Sequence, residues 1–428
     1  MKTKLQRLFL AIILVVSVLN YSSFAATEQV QAATKIEVPQ ATIAAKAGMA
    51  VDVETGQVLA NKNSETAMPI ASLTKLLSIY LVLQAVKQGK LTWNQQVTPT
   101  ADVVTLSRNM ELSNIPFETA KSYTVKELYE ASLIYSANAA VMALADTVSG
   151  SQDKFVDAMK AQLLKWGIKD AKIVNASGMS NSFLGDARYP GTTATDENEM
   201  SARDIATVAQ HLLKDYPEIL DVTSQTKIDF HGTAYPTWNL MLKGESAAST
   251  DFAVDGLKTG TSDLAGDCFV GTVKKNGFRI ITVILNADGQ AADQQKRFTA
   301  AKTLMEGIYQ NWHQVTILQR NQANKQLPTV KVSNSKQTKV SVVSGRTVTM
   351  LLPKSVKKSQ LAFKLNNEDV KRNAPIKKGA NLGSIQLPNI GTGYLTEEQN
   401  DSIPILAKTA VQELSWWQKA WRKITGLF

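Results

Sequence analysis

The chain has 428 residues, 44% of them hydrophobic and 20% charged, with 47 Lys and Arg against 37 Asp and Glu for a formal net charge of +10. That length exceeds one minimal core and predicts two domains, and the composition excludes a disordered chain. The positive excess favours anionic partners: nucleic acid, or the face of an anionic membrane or wall.

At the N-terminus, Lys2, Lys4 and Arg7 precede an apolar run from Leu8 to Leu19, and small residues follow. The run is too short for a comfortable transmembrane span, so 1–33 reads as a secretory signal peptide rather than an uncleaved anchor. Ser23-Phe24-Ala25 and Val30-Gln31-Ala32 both suit a signal peptidase, and the sequence does not choose between them. Export argues against nucleic acid as a partner. It also gives meaning to the lone Cys268, which forms no internal disulfide and leaves the fold to rest on its core. The chain's His211, His231 and His313 all lie far from it, so Cys268 reads as a small buried hydrophobe in a strand. The scattered histidines predict no metal site, and no cofactor is expected.

Residues 38–312 carry the patterns of one α+β domain. A strand pair at 47–53 and 57–61 flanks a turn, and an apolar helix runs over 72–88 with Gly89 placed to stop it. Helical spacing lies on both sides of 136–138, and further helices are expected at 152–166 and 202–214. The stretch 175–195 is rich in Gly, Ser and Asn and reads as loops near a cleft. Strands follow at 268–273 and 279–286 about the turn Lys274-Lys275-Asn276-Gly277, and then a helix over 294–312. This predicts an antiparallel sheet with helices around it, interrupted by an inserted helical block.

Residues 313–398 alternate apolar and polar side chains between turns and predict a small β-sandwich, a spacer or binding module. In 403–428, Pro404 opens a predicted helix. Leu406, Ala410, Leu414, Trp417, Trp421, Ile424 and Phe428 recur at its period, with Lys408, Gln412, Lys419, Arg422 and Lys423 outside the stripe. A cationic amphipathic helix with adjacent Trp suits the plane of an anionic bilayer, and a helix docked on the protein's own core is the alternative.

Three short signals bear the chemistry: Ser72-Leu73-Thr74-Lys75, Ser136-Ala137-Asn138 and Lys258-Thr259-Gly260-Thr261. Ser-x-x-Lys alone is weak, since Ser151, Ser224, Ser333 and Ser355 also have Lys three positions on. Ser72 differs because it opens an apolar helix, where backbone N–H groups favour a developing oxyanion. Lys75, three positions on, shares its face and can take the hydroxyl proton as a neutral amine, its pKa depressed by burial and by a cation such as Lys258. Ser136 can relay a proton to a leaving amine, and Asn138 can bond a substrate peptide group. Lys258-Thr259-Gly260-Thr261 precedes a strand in this reading, and there Lys258 and Thr259 can hold a substrate carboxylate. Gly260 lets a ligand backbone approach a strand edge, and the Thr261 N–H completes an oxyanion pair.

The set matches the S-x-x-K, S-x-N and K-T-G pattern of serine enzymes that react with penicillin. Met68-Pro69-Ile70-Ala71-Ser72-Leu73-Thr74-Lys75 resembles the nucleophile segment of the D-alanyl-D-alanine carboxypeptidases, the low-molecular-mass penicillin-binding proteins. Val254-Asp255-Gly256-Leu257-Lys258-Thr259-Gly260, continued by Ala265-Gly266, resembles their third motif, and Ser201-Ala202-Arg203-Asp204 another recurrent stretch. The resemblance spans nearly the whole chain. It implies removal of the terminal D-alanine from peptidoglycan stem pentapeptides through acyl-Ser72, inhibition by β-lactams, and peripheral attachment at the outer face of the bacterial cytoplasmic membrane. It also implies that Arg297 lies near the carboxylate pocket. Ala137 stands where Gly is frequent in the family, and 181–200 departs from its pattern and would reshape substrate access.

Two other readings compete. A class A β-lactamase needs a glutamate that activates a deacylating water, yet 165–180 has no Glu, and Glu197 and Glu199 lie in a Gly- and Thr-rich loop. A non-catalytic wall-binding protein would not need Ser72, Lys75 and Lys258 together.

Overall fold

The structure, a computed structural model, describes residues 36–290, 292–293, 295–367, 371–396 and 402–425, with side chains described as far as Trp421. The secretory segment 1–33 therefore lies outside the described residues.

A five-stranded antiparallel sheet organises the first part: β1 (Ala45–Asp52), β2 (Val58–Lys62), β3 (Val254–Ser262), β4 (Gly266–Lys275) and β5 (Phe278–Ala287), in the order β2-β1-β5-β4-β3. Asn276 and Gly277, both at positive φ, turn β4 into β5, the conformation that an Asn-Gly pair adopts most readily. Between β2 and β3 the chain leaves the sheet for helices α1 (Lys75–Lys87), α2 (Ala101–Ser107), α3 (Val125–Ile134), α4 (Asn138–Ser149), α5 (Gln152–Lys165) and α6 (Ala202–Asp215). After β5 comes α7 (Lys296–Asn311).

Both faces of the sheet are covered, which explains why its strands read as nearly continuous apolar runs. Met49, Val270, Ile281 and Val283 face the core shared with α1 and α6, including Leu76, Ile79, Ile205 and Leu212. Their strand neighbours Ala50, Phe269, Ile280 and Ile284 face the other side, against Phe298, Leu304, Met305 and Ile308 of α7. Cys268 is fully buried in β4, as its sequence context predicts. Ser201 and Asp204 form a capping box at the start of α6, each side chain bonding the other's backbone N–H.

The second part is all-β. Strands β6 (Trp312–Leu318), β7 (Thr329–Ser333), β8 (Lys339–Ser344), β9 (Val348–Pro353), β10 (Lys371–Asn373), β11 (Asn381–Ile385) and β12 (Ile403–Ala407) form a β6-β9 pair and a sheet ordered β10-β7-β8-β12-β11. Gln57, buried, bonds both the carbonyl and the N–H of Leu351, and Arg203 donates to the carbonyls of Tyr394 and Leu395. These bonds tie the two parts together.

Three expectations need correction. The predicted helix from Pro404 is wrong in its first half, because 403–407 is the inner strand β12. Ile403, Ile405 and Ala407 alternate into the core, and β8 and β11 supply ladder partners on either side. Period-two and period-four patterns both fit so short a stretch, and the vacant place in the sheet decides between them. Only α8 (Trp416–Thr425) is helical, with Trp416, Trp417 and Trp421 exposed, whereas Val411 and Leu414 are buried against the β part. The helix carrying the first motif is α only from Lys75, since Ala71–Thr74 is a 3-10 turn. Finally, Lys258-Thr259-Gly260-Thr261 lies inside strand β3 rather than ahead of a strand. No helix among the described residues is long and apolar enough to cross a membrane.

Candidate active site

The segment before Ser72 is fixed on both sides. Met68–Pro69 pairs with Glu199–Met200, and the Ile70 N–H donates to the Asn198 carbonyl at 3.0 Å. Ala71 then takes φ 46°, unusual for a residue with a Cβ, and turns the chain sharply into Ser72. Gly178 supports this turn from below. A Cβ there would fall 1.9 Å from the Ala71 carbonyl oxygen, so only glycine fits. Ser72 is left partly exposed at the mouth of α1, and Lys75 is fully buried one turn on.

Lys75 Nζ has three oxygen neighbours: Ser72 Oγ at 2.8 Å, Asn138 Oδ1 at 2.7 Å and the Ser177 carbonyl at 2.9 Å. Two are carbonyl oxygens that only accept. A neutral amine satisfies both with its two hydrogens and turns its lone pair to the remaining neighbour, the Ser72 hydroxyl. Burial, and secondarily the charge of Lys258, hold the Lys75 pKa well below the ordinary lysine value.

The second motif occupies the break between α3 and α4. Ser136 sits at φ 63° and is buried, and Asn138 opens α4. The loop before α3 fixes the carboxamide: Asn138 N and Nδ2 both donate to the Ser113 carbonyl, at 2.9 and 3.1 Å, and Asn114 Oδ1 accepts from the Ala139 N–H. Asn138 Oδ1 is thereby directed at Lys75, leaving one Nδ2 hydrogen for a substrate.

The third motif lies on β3, the edge strand. Gly260 abuts the nucleophile turn, and a Cβ on it would lie 2.8 Å from the Ile70 carbonyl oxygen. Lys258 and Thr259 are buried, and Lys258 Nζ donates to the Thr259 carbonyl at 3.0 Å. Burial, then the nearby Arg297 charge, push the Lys258 pKa down to about 7. Arg297 donates to the carbonyls of Gly260 at 2.9 Å and Cys268 at 3.3 Å, and it pairs with Asp267. All three motifs therefore meet: the first and second through Lys75 and Asn138, the first and third through Gly260, with Arg297 behind the strand.

Residues 32–289 match the family described as D-alanyl-D-alanine carboxypeptidase, and 312–413 that described as penicillin-binding protein 5, C-terminal domain. The chain belongs to the D-alanyl-D-alanine carboxypeptidase family. A relative of that name, DacF from Bacillus subtilis, is 27% identical over 349 residues, covering 81% of this chain and 82% of DacF. The crystal structure of a peptidoglycan synthesis regulatory factor, PBP3, from Streptococcus pneumoniae is 38% identical with a TM-score of 0.72, covering 87% of this chain and all of that one. Penicillin-binding protein D2 from Listeria monocytogenes, solved with ampicillin bound, is 30% identical with a TM-score of 0.51, covering 63% of this chain and 98% of that one.

Several family-site neighbours escaped the sequence reading. Ser177 contributes a backbone carbonyl, which no side-chain pattern reports. Asn175 and Asn198 knit the surrounding loop: Asn198 Nδ2 donates to Thr74 Oγ1 at 2.9 Å and to the Asn175 carbonyl at 2.8 Å. Only the Gly, Ser and Asn content of 175–195 pointed towards Asn175 and Ser177, and Asn198 lies beyond that stretch. The two glutamates weighed for a deacylating role are engaged elsewhere. Glu197 accepts from Ser262 Oγ at 2.6 Å, and Glu199 pairs with Lys172 at 3.1 Å.

Proposed function

We propose that this chain removes the C-terminal D-alanine from peptidoglycan stem pentapeptides through an ester on Ser72. Ser72 Oγ attacks the carbonyl of the penultimate D-alanine while the neutral Lys75 amine takes its proton. The oxyanion receives hydrogen bonds from the backbone N–H groups of Ser72 and Thr261. The C–N bond then breaks, and the leaving amine takes a proton delivered from Lys75 through Ser136, so free D-alanine departs. Water attacks the ester, its proton passes to Lys75, and Ser72 regains its hydroxyl. Lys258 in its charged form, Thr259 and Arg297 favour the substrate carboxylate, and Asn138 offers its spare Nδ2 hydrogen to the peptide backbone. β-Lactams acylate Ser72 by the same attack.

The observation that carries this reading is the Lys75 amine held between two carbonyl acceptors and the Ser72 hydroxyl. Export through 1–33 and peripheral attachment to an anionic bilayer through α8 complete the proposal. The basic net charge and the exposed Trp416, Trp417 and Trp421 support the attachment.

Mass spectrometry of penicillin-treated protein should locate the added mass on Ser72, and pentapeptide should release D-alanine. Ser72→Ala should lose both activities and keep its fold. Label on another residue would move the nucleophile, and penicillin turnover of many per second would favour a β-lactamase.

A further inference from the structure

Residues 313–413 hold fifteen Lys and Arg against six Asp and Glu, so this part carries nine of the chain's ten net positive charges. Three of the lysines stand in one row. Lys331 of β7 lies directly opposite Lys339 of β8 on one side and Lys371 of β10 on the other. Val330, Val332 and Val340 are buried in the core, and the three lysines share the opposite, exposed face. Neighbouring strands run about 4.8 Å apart, so the ammonium groups crowd one another. Like charges directly opposite destabilise a sheet, and none of the three forms an ion pair among the described residues. The pairs beside them are Thr329 with Ser341 and Ser333 with Asn373, which bring hydroxyls and an amide but neither a carboxylate nor an aromatic ring. Lys408, also exposed, follows β12 beside Ser341, its N–H donating to the Ser341 carbonyl at 2.9 Å. A sheet that served only as a spacer would gain from a neutral residue at 331.

We infer that this face binds a linear polyol-phosphate polymer, each ammonium taking a phosphodiester and the Ser, Thr and Asn side chains taking the polymer's hydroxyls. Charge and shape select that class. Lysine meets phosphate as a point charge, whereas bidentate carboxylate recognition calls for arginine. Single-stranded nucleic acid stacks its bases on aromatic platforms, and these positions offer none. A bilayer presents a plane of headgroups, and the exposed Trp416, Trp417 and Trp421 suited to it lie on α8. A single row of lysines instead matches phosphates that follow one another along one chain. The inference is independent of the peptidase chemistry above and takes from that reading only export through 1–33.

The test is isothermal titration of the full chain with purified poly(glycerol phosphate) over a salt series, without vesicles. The wild type should bind, the logarithm of its affinity falling linearly with that of the salt concentration. Lys331→Gln/Lys339→Gln/Lys371→Gln should lose about tenfold or more in affinity at low salt and flatten that slope by about 2, roughly 0.7 for each contact. Lys354→Gln/Lys357→Gln/Lys358→Gln removes equal charge from other exposed positions of the β part and should bind as the wild type does. The row variant sheds cross-strand repulsion, so it should melt no lower than the wild type. Absence of wild-type binding overturns the inference. So does an equal loss in both variants, which would assign binding to net charge, or a lower melting temperature of the row variant, which would give the lysines to the fold. Tighter binding of a homothymidine oligonucleotide would overturn it in favour of nucleic acid. Loss of co-sedimentation of the row variant with phosphatidylglycerol vesicles would overturn it in favour of a bilayer.

Discussion

Gly260 is the point where the strand carrying Lys258 meets the turn carrying Ser72, so a single methyl group there tests whether that junction sets the reaction geometry. In Gly260→Ala the new Cβ would lie 2.8 Å from the Ile70 carbonyl oxygen and 3.2 Å from both Leu73 N and Leu73 Cγ. Comfortable carbon contacts begin near about 3.5 Å, so relief requires roughly 0.7 Å of separation. Neither side yields readily. Ile70 N is bonded to Asn198, and the Gly260 carbonyl to Arg297. Overpacking of this kind costs ~1–3 kcal/mol, a Tm lowered by a few degrees in a chain of this size. The kinetic effect is larger, because displacing reacting groups by ~1 Å costs on the order of 10²-fold. Gly260→Ala should therefore lose about 30- to 100-fold in the rate of Ser72 acylation by a fluorescent penicillin, read by stopped flow. A folded variant acylated at close to the wild-type rate would refute the reasoning, since the strand and the turn would then not need their close approach.

Lys75→Arg should lose about 10²–10⁴-fold in acylation, because a guanidinium stays charged and cannot take the Ser72 proton; a retained rate would place the base elsewhere. The pH profile of kcat/KM for pentapeptide follows from the two depressed lysines. Activity should rise as Lys75, held well below its ordinary pKa, becomes neutral, and should fall as Lys258 discharges above about 7. Lys258→Arg should abolish the alkaline fall, and a wild-type rate that keeps climbing well above that pH would count against a charged Lys258. Removing 416–428 should release the protein from anionic vesicles with soluble activity intact, and continued co-sedimentation would refute α8 as the attachment. Removing 403–428 should instead unfold the β part, because it deletes β12, which pairs with strands on both sides, from its sheet. A thermal melt unchanged from the full-length chain would contradict that assignment.

Much of the site was legible in the sequence because its chemistry resides in side chains at short spacing. Ser72 and Lys75 are one helical turn apart, Ser136 and Asn138 flank a helix break, and Lys258 to Thr261 are contiguous. Local periodicity likewise determined the longer helices of the inserted block and the β4–β5 hairpin, since each contains its own apolar stripe and turn residues, whereas the short α2 at 101–107 was not foreseen. The ambiguity at 403–407 was real, because five residues cannot distinguish the two periods.

What the sequence determined by itself is the inventory: two serine hydroxyls, two lysines, an amide, a threonine and a glycine, in family order, on elements that local patterning predicts. Only tertiary structure decided what surrounds them. It brought the Ser177 carbonyl to Lys75 and the Asn198 carboxamide to Thr74, and it drew 403–407 into a sheet. Backbone carbonyls, buried charge and vacant strand edges act through space between residues far apart in the chain. Their energies depend on distance and desolvation, which no local pattern of residues encodes.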